Sequence, residues 1–330
     1  MKEEKKPACS VCLLSWMDQV AETYTRHHSF STADNYLRTR RSLHSWLSGR
    51  GSQDLPLRRL NAELVADYQE FLTVAGHGRN TRTFHLRNFR SAYNKAVDAG
   101  LLPRSAQNGH PFEHTSTTSL PTHRRASEAE VVARLEKLDI AAALVAMGKK
   151  SSRKSFAKTV SDLSYARDIF IFCFYACGMP FVDFAHLTPD NIRHGLLCYG
   201  RHKTGTYIEM EILPPMQRII DRYADRGHYL FPVLTAVSTK EAYVQYTKAI
   251  RKYNHRLAQL SQMLDIGISL STYVPRHTWA TTVYHRGMPE SCIKERLGHV
   301  SLNTTRSYLK TFESSQIDEI NKKIMASIFE

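Results

Sequence analysis

Arg276, His299 and Tyr308 stand in that order in the last third of the chain, 23 positions apart (276 to 299) and then nine (299 to 308), with Lys203 upstream of them. These residue types can act on a phosphate. A guanidinium is planar, permanently charged and able to hold two phosphate oxygens at once. A phenol, with a free pKa near ~10, is a nucleophile once it is activated. An imidazole can donate a hydrogen bond and an ammonium can give up a proton. Taken singly, each has a plain reading: a core or surface tyrosine, a solvated arginine, a lysine at a hairpin tip. The charge balance favours a polyanionic partner, since 45 Lys+Arg against 31 Asp+Glu leave a net charge of +14. Such an excess points first to nucleic acid and second to an anionic membrane surface.

Other chemistries find less support. Cys9 and Cys12 form a lone C-x-x-C with no second pair to complete the four ligands of a zinc site. Cys173 and Cys177, four apart, would share a helix face as packing residues. No metal and no cofactor are expected. Six cysteines in 330 residues are too sparse for a disulfide framework, which suits a reducing cytoplasm. The longest uncharged apolar stretch, Ile169 to Val182, is 14 residues and contains Gly178 and Pro180, against the roughly 20 needed to cross a bilayer. The N-terminal MKEEKKPACSVCLLSWMDQ mixes acids with lysines and does not read as a signal peptide.

The elements that must position these residues fall into two groups. Residues 12–100 show helical spacing only: Trp16, Val20, Tyr24; then Tyr36, Leu37, Leu43, Leu47; then Leu64, Tyr68, Phe71, Leu72; then Phe84, Leu86, Phe89, Tyr93, Val97. Four short helices make a small all-α domain, expected over 12–104 after an N-terminal tail (1–11). It is basic in a patterned way. Arg79, Arg82, Arg87, Arg90 and Lys95 flank the apolar face of the fourth helix, with no acid between Gly78 and Val97, and Arg38, Arg40 and Arg41 cluster on the second. A phosphate-contacting face is the better reading than a merely solvated one. Residues 105–125, with Pro111, Pro121 and a Ser/Thr run, read as an extended linker.

The second domain, expected over 126–330, is mixed. Ser127-Glu-Ala-Glu opens a helix with a capping-box arrangement, and Tyr165 to Cys177 reads as a buried helix. Gly195–Gly200 and Thr206–Ile212 alternate around Lys203-Thr-Gly205, a β-hairpin. Helices follow from Pro214, over 238–264, 275–286, 289–297 and 304–310, and a last amphipathic one runs from Ile317 to Ile328. The fold class is mainly α with a small β-sheet.

Read together, Arg276-His277-Thr278-Trp279-Ala280-Thr281, then Leu297-Gly298-His299, then Tyr308 resemble the tyrosine recombinase (phage integrase) family. In that family an arginine box opens a helix, an L-G-H turn follows, and a nucleophilic tyrosine lies nine after the histidine. Upstream, Ala166-Arg-Asp168, Phe174-Tyr175, Gly178-Met179, Phe181-Val-Asp183 and Leu187 look like the family's first box in its Bacteroidetes-type branch, and Lys203 matches its catalytic lysine. The resemblance covers about residues 12–325 and implies a two-domain architecture, a helical core-binding domain followed by an α+β catalytic domain. It further implies that Tyr308 attacks a phosphodiester, that Arg276 and His299 stabilise the transition state, and that Lys203 protonates the departing 5′-hydroxyl. The product would be a 3′-phosphotyrosyl enzyme that religates without ATP.

By the same resemblance, Arg38, Arg41, Arg79, Arg82, Arg87, Arg90, Arg201 and His277 are candidate DNA contacts. The implied partners are double-stranded DNA, further protomers forming a tetramer on two duplexes, and accessory DNA-bending proteins, with no membrane. The implied setting is the bacterial cytoplasm, at the nucleoid during recombination, in a mobile element or phage. The last helix would dock on a neighbouring protomer.

Two positions depart from the family pattern. Its H-x-x-R box has histidine where Tyr273 stands, and Tyr273 can donate a hydrogen bond but lacks an imidazole's chemistry. The first-box arginine falls where Pro180 or Cys177 stands, two positions that one helix face would bring to the same phosphate. Arg193 and Arg201, near and within the hairpin, are the candidate replacements. A DNA-binding relative with weak or absent strand transfer is therefore the second reading. An all-helical transcription regulator would explain the charge but not the ordered Arg276, His299, Tyr308 set. A type IB topoisomerase shares the chemistry, but the size and the L-G-H spacing favour a recombinase.

Overall fold

The computed structural model describes residues 11–103, 110–118, 129–148, 152–224, 227–306 and 309, and the chain divides into two units, 1–121 and 122–330. In the first unit α1 (Leu13–Arg26), α2 (Phe30–Gly49), α3 (Ala62–Val74) and α4 (Arg79–Asp98) are the expected helices. Their boundaries follow local chemistry. Asn61 caps α3 by accepting the Leu64 N–H at 2.9 Å, and Gly100, at φ +73°, turns the chain after α4. Leu43, Trp46, Tyr68 and Phe89 meet in the core, where the Tyr68 and Phe89 rings pack edge to face 5.7 Å apart.

The segment read as linker is partly built into this unit. Phe112 is fully buried, its ring 5.0 Å from that of Phe89 and 5.9 Å from that of Tyr93. The Arg87 guanidinium donates to the Thr117 carbonyl at 2.7 Å. His110, whose ring lies 5.1 Å from that of Tyr93 and whose Nε2 is 3.0 Å from Asn94 Oδ1, adds to this attachment of residues 110–118 to α4, and so few anchors in a polar run leave no periodicity to read. The tail at 1–10, the rest of the linker expectation and the Ser127 capping box lie outside the described residues.

The second unit is built around α7 (Arg153–Tyr175), which starts 12 residues before the expected apolar stretch (153 against 165) because Ser152 caps it by accepting the Ser155 N–H. Before it come α5 (Ala129–Lys137) and the unforeseen α6 (Ile140–Ala146), whose Ala-rich run carries little pattern. After it come α8 (Phe181–Ala185) and a three-stranded antiparallel sheet, β1 (Ile192–Arg193), β2 (Leu196–Gly200) and β3 (Tyr207–Glu211), in the order β1-β2-β3. The β2–β3 register pairs Tyr199 with Ile208 and Gly200 with Tyr207, so the hairpin tip carries residues 201–206. Then follow α9 (Pro214–Tyr223), α10 (Thr239–Leu264), α11 (Val274–His285), α12 (Glu290–Leu297) and α13 (Leu302–Arg306). The core joins α7 residues Phe170 and Phe172 to Phe184, Phe231, Leu257 and Leu260. Among the described residues no helix is long and apolar enough to cross a membrane.

Candidate active site

The floor of the site is the reversal between α7 and α8. Helix α7 ends at Tyr175, and Cys177 (φ +54°) and Gly178 (φ +71°) both take left-handed backbone. Pro180 then caps α8. This corrects one expectation: positions 177 and 180 do not share a helix face, because the helix has already stopped. The Cys177 side chain packs instead against the Trp279 cluster, and burial raises its thiol pKa. Gly178 has two reasons to be glycine. Its φ is unfavourable for any other residue, and a Cβ there would fall 2.7 Å from Cα of Arg276.

Arg276 sits directly on that glycine, in the first turn of α11, and is 2% exposed. Its Nη1 donates to the Gly178 carbonyl at 2.9 Å; its Nη2 donates to the Leu297 carbonyl at 2.5 Å and lies 2.9 Å from Nε2 of His299. Arginine has no acceptor, so this contact makes Nε2 the acceptor and places the imidazole proton on Nδ1. Nδ1 in turn lies 3.0 Å from Oγ1 of the buried Thr305, which accepts. Burial, then the charges of Arg276, Arg201 and Lys203, push the His299 pKa down to about 3, so the ring is neutral at physiological pH. The turn that carries it is closed by Gly298 at φ +63°, the left-handed cap of α12.

The hairpin tip closes over the same turn. Thr204 Oγ1 donates to the Gly298 carbonyl at 3.5 Å, and the exposed Lys203 beside it is close enough for its charge to act on His299. Arg201 is 7% exposed; its Nε pairs with Oδ2 of Asp183 at 2.7 Å, and its Nη1 donates to the Leu297 carbonyl. Asp183 Oδ1 accepts the His202 N–H at 2.9 Å, and burial outweighs its cationic neighbours in raising its pKa. Arg193 is elsewhere: it lies on β1, beside the opposite end of β2, with Nε on the Asp190 carbonyl at 3.0 Å.

Of the remaining candidates, Tyr273 precedes α11 with its side chain exposed, close enough to the Tyr246 phenol to act on it. His277 is half-buried, its N–H on the Tyr273 carbonyl at 3.1 Å. Tyr308 lies outside the described residues, as does the helix expected at 317–328. On either side of Tyr308, α13 is tied to α12 by Arg306 Nε on Glu290 Oε2 at 2.8 Å, and Leu309 packs against the Trp279 cluster. Sequence reading missed Thr305, and it named Asp183 only as a position in the first box without its pairing role. The signal for Asp183 is a carboxylate inside the apolar run 181–185, where an unpaired charge would be costly; Thr305 carries none beyond lying three residues before Tyr308.

Two family models match, the phage integrase SAM-like domain over residues 12–110 and the phage integrase family over residues 149–314. The chain is a tyrosine recombinase of the phage integrase family. Tyrosine recombinase XerD of Pseudomonas aeruginosa is 24% identical over 292 residues, covering 84% of this chain and 86% of its own. Tyrosine recombinase XerA of Pyrococcus horikoshii is 21% identical over 278 residues, covering 80% and 94%. In fold the recombinase resembles a lambda integrase tetramer bound to a Holliday junction, with TM-score 0.58 and 17% identity over 93% of this chain and 82% of that one. It also resembles the Tn1549 transposon integrase in complex with transposon right end DNA, with TM-score 0.58 and 12% identity over 94% and 99%.

In this tyrosine recombinase the basic residues of the first unit divide by what holds them. Arg38, Arg41 and Arg79 are exposed. Arg40 is tied to Asp18 at 2.9 Å, Arg82 donates to Thr73 Oγ1 at 2.5 Å, Arg87 holds Thr117, and Arg90 is half-buried.

Proposed function

We propose that the protein is a site-specific DNA recombinase or integrase that cleaves and rejoins duplex DNA through a 3′-phosphotyrosyl intermediate at Tyr308. The observation that carries this reading is the seating of Arg276: buried on Gly178, its fork directed at the Leu297 carbonyl and at a neutral His299, beside the hairpin that bears Lys203. Such a fork fits two nonbridging oxygens of a phosphodiester, which as an anion is a better acceptor than either carbonyl. The Tyr308 Oη–P bond forms as its proton is lost, the P–O5′ bond breaks, and Lys203 supplies a proton to the leaving 5′ oxygen. Once Arg276 has turned to the phosphate, the neutral imidazole takes its other tautomer, with Nδ1 accepting from the Thr305 hydroxyl and Nε2 donating to a nonbridging oxygen. Tyr273, at the surface, is assigned at most a polar contact to the DNA.

The residues for phosphate contact are Arg38, Arg41, Arg79, Arg82, Arg87 and Arg90 in the first unit, with Arg201 and His277 in the second. The domain assignment is a core-binding domain at 12–104 and a catalytic domain at 126–330, with residues 110–118 packed as part of the first. Duplex DNA is the substrate, with assembly into a tetramer on two duplexes, a reading supported by the lambda integrase tetramer bound to a Holliday junction among the structural neighbours. The setting is the cytoplasm.

A nicked duplex traps the intermediate, because the short cleaved strand diffuses away. A denaturant-resistant protein–DNA adduct is expected. Absence of any adduct on a randomised pool of nicked duplexes would leave the second reading, a DNA-binding relative without strand transfer, which the lack of arginine at 177 and 180 favours.

A further inference from the structure

We propose that Arg201 is a catalytic residue, the second guanidinium on the scissile phosphate, delivered from the β2–β3 hairpin and held in place by Asp183. The inference rests on the reading that Tyr308 cleaves DNA. Its basis is a convergence. Arg201 Nη1 and Arg276 Nη2 donate to one and the same acceptor, the Leu297 carbonyl oxygen, so two guanidinium groups meet edge to edge at the turn that carries His299. Both charges depress the imidazole pKa, which places both within electrostatic reach of it.

The surroundings hold Arg201 in that pose. The hairpin tip is locked through its backbone, its N–H donating to the Thr206 carbonyl and its carbonyl accepting the Gly205 N–H, each at 2.8 Å. Its stem lies against Gly298, where a Cβ would come within 2.9 Å of Cγ. Asp183, 1% exposed in its side chain, grips Nε at 2.7 Å and leaves the far edge of the fork directed at Leu297 and Arg276.

The local charge balance points to an anion. Arg276, Arg201 and Lys203 are three cations around a neutral imidazole, and Asp183 is the one carboxylate that the named contacts set against them. Holding two guanidinium groups on a single neutral carbonyl, away from water, is unfavourable unless a bound anion takes its place. A phosphodiester is that anion, and its developing transition-state charge is what a preorganised fork stabilises. The α7–α8 turn cannot supply the second cation, since Cys177 and Pro180 stand there. Arg193, at the opposite end of β2, cannot either.

The competing role for Arg201 is that of a prop beneath the L-G-H turn. Two substrates separate the two. One is a nicked duplex selected from a randomised pool by covalent capture with the unaltered chain. The other is the same duplex with a methylphosphonate at the scissile position, where a methyl replaces one charged oxygen. Arg201→Lys keeps the buried ion pair, and the double variant Arg201→Gln, Asp183→Asn removes it without stranding a charge.

On the ordinary duplex both variants should release the 5′-hydroxyl strand about 10²–10³-fold more slowly. On the neutral methylphosphonate they should come within a few-fold of the unaltered chain. Equal losses on both substrates would make Arg201 a prop, and unchanged cleavage of the ordinary duplex would make it dispensable; either overturns the proposal and leaves Tyr308 as nucleophile untouched. If the unaltered chain cleaves nothing, the parent reading fails and the role of Arg201 with it.

Discussion

At the residue scale, the site is arranged to keep an imidazole neutral and singly oriented. Arg276 fixes one ring nitrogen as acceptor and Thr305 takes the proton of the other. With its pKa pushed to about 3, the His299 Cε1 resonance should not move between pH 8 and 4.5 in the DNA-free protein; an inflection near 6.5 would show that the Arg276 contact is not formed. A second histidine with a depressed pKa, the buried His85, makes the sign of the pH effect measurable in stability. His85, beside Thr39 Oγ1 at 3.2 Å, is pushed to about 4 by burial and then by His77. The unfolded chain therefore binds the proton first, and stability present above pH 6.5 is lost as pH falls toward 4, by at most about 3–4 kcal/mol at ~1.36 per pKa unit. Urea midpoints at pH 7 and 4.5 should differ less in His85→Gln than in the unaltered chain. For the nucleophile, Tyr308→Phe should abolish the covalent adduct while duplex affinity stays within about twofold, since one oxygen is removed and the basic surfaces remain. A surviving adduct would move the attack to another phenol, Tyr284 or Tyr273.

Elements set these residues against one another. The α7–α8 reversal and α11 approach so closely that Gly178→Ala must displace the Arg276 backbone as well as hold an alanine at φ +71°. The left-handed conformation alone costs about 1–2 kcal/mol, and the clash adds to it. Denaturant unfolding should show a loss larger than that, with cleavage falling alongside; a neutral result would mean that the two elements do not approach in solution. On the first unit, the charge proposed to face DNA lies on α4 and α2. Because Arg87 is engaged with Thr117, the exposed Arg41 and Arg79 are the better probes. Replacing both by alanine should make the slope of log affinity against log salt shallower, by about 0.9 for every phosphate left without its cation. An unaltered slope would mark that face as merely solvated.

On the scale of the whole molecule, two compact units share one strongly basic chain. Residues 1–110 hold 16 Lys+Arg and 10 Asp+Glu, so +6 of the +14 lies there and +8 beyond, and neither unit alone accounts for the attraction to DNA. The end of the first unit is set by packing, not by composition. Phe112→Ala should destabilise that unit by about 3–5 kcal/mol, the usual cost of emptying a buried aromatic site. A fragment of residues 1–121 should accordingly melt well above one of residues 1–104. Equal melting temperatures would return residues 110–118 to the linker.

Much of the site was legible in order and type. Arg276, His299 and Lys203 are picked out by the family resemblance that their order and neighbours carry, and the elements that hold them follow from periodicity, caps and the Lys203-Thr-Gly205 turn, which are local properties. What spacing could not decide is which side chains meet. The α7 helix stops two residues before Cys177, which separates positions 177 and 180 from any shared face. Arg201 and Asp183 become one ion pair only when the hairpin folds over α8, and Arg193, of the same residue type and eight positions earlier, ends at the far end of the strand. Thr305 acquires its role only when α13 brings a hydroxyl under Nδ1 of His299. Phe112 joins the core through Phe89 and Tyr93, 23 and 19 residues upstream (89 and 93 to 112). The Arg201–Asp183 pair and the seating of Phe112 are contacts between separate segments, where the deciding quantity is burial without unpaired charge, and that quantity exists only once the elements have packed.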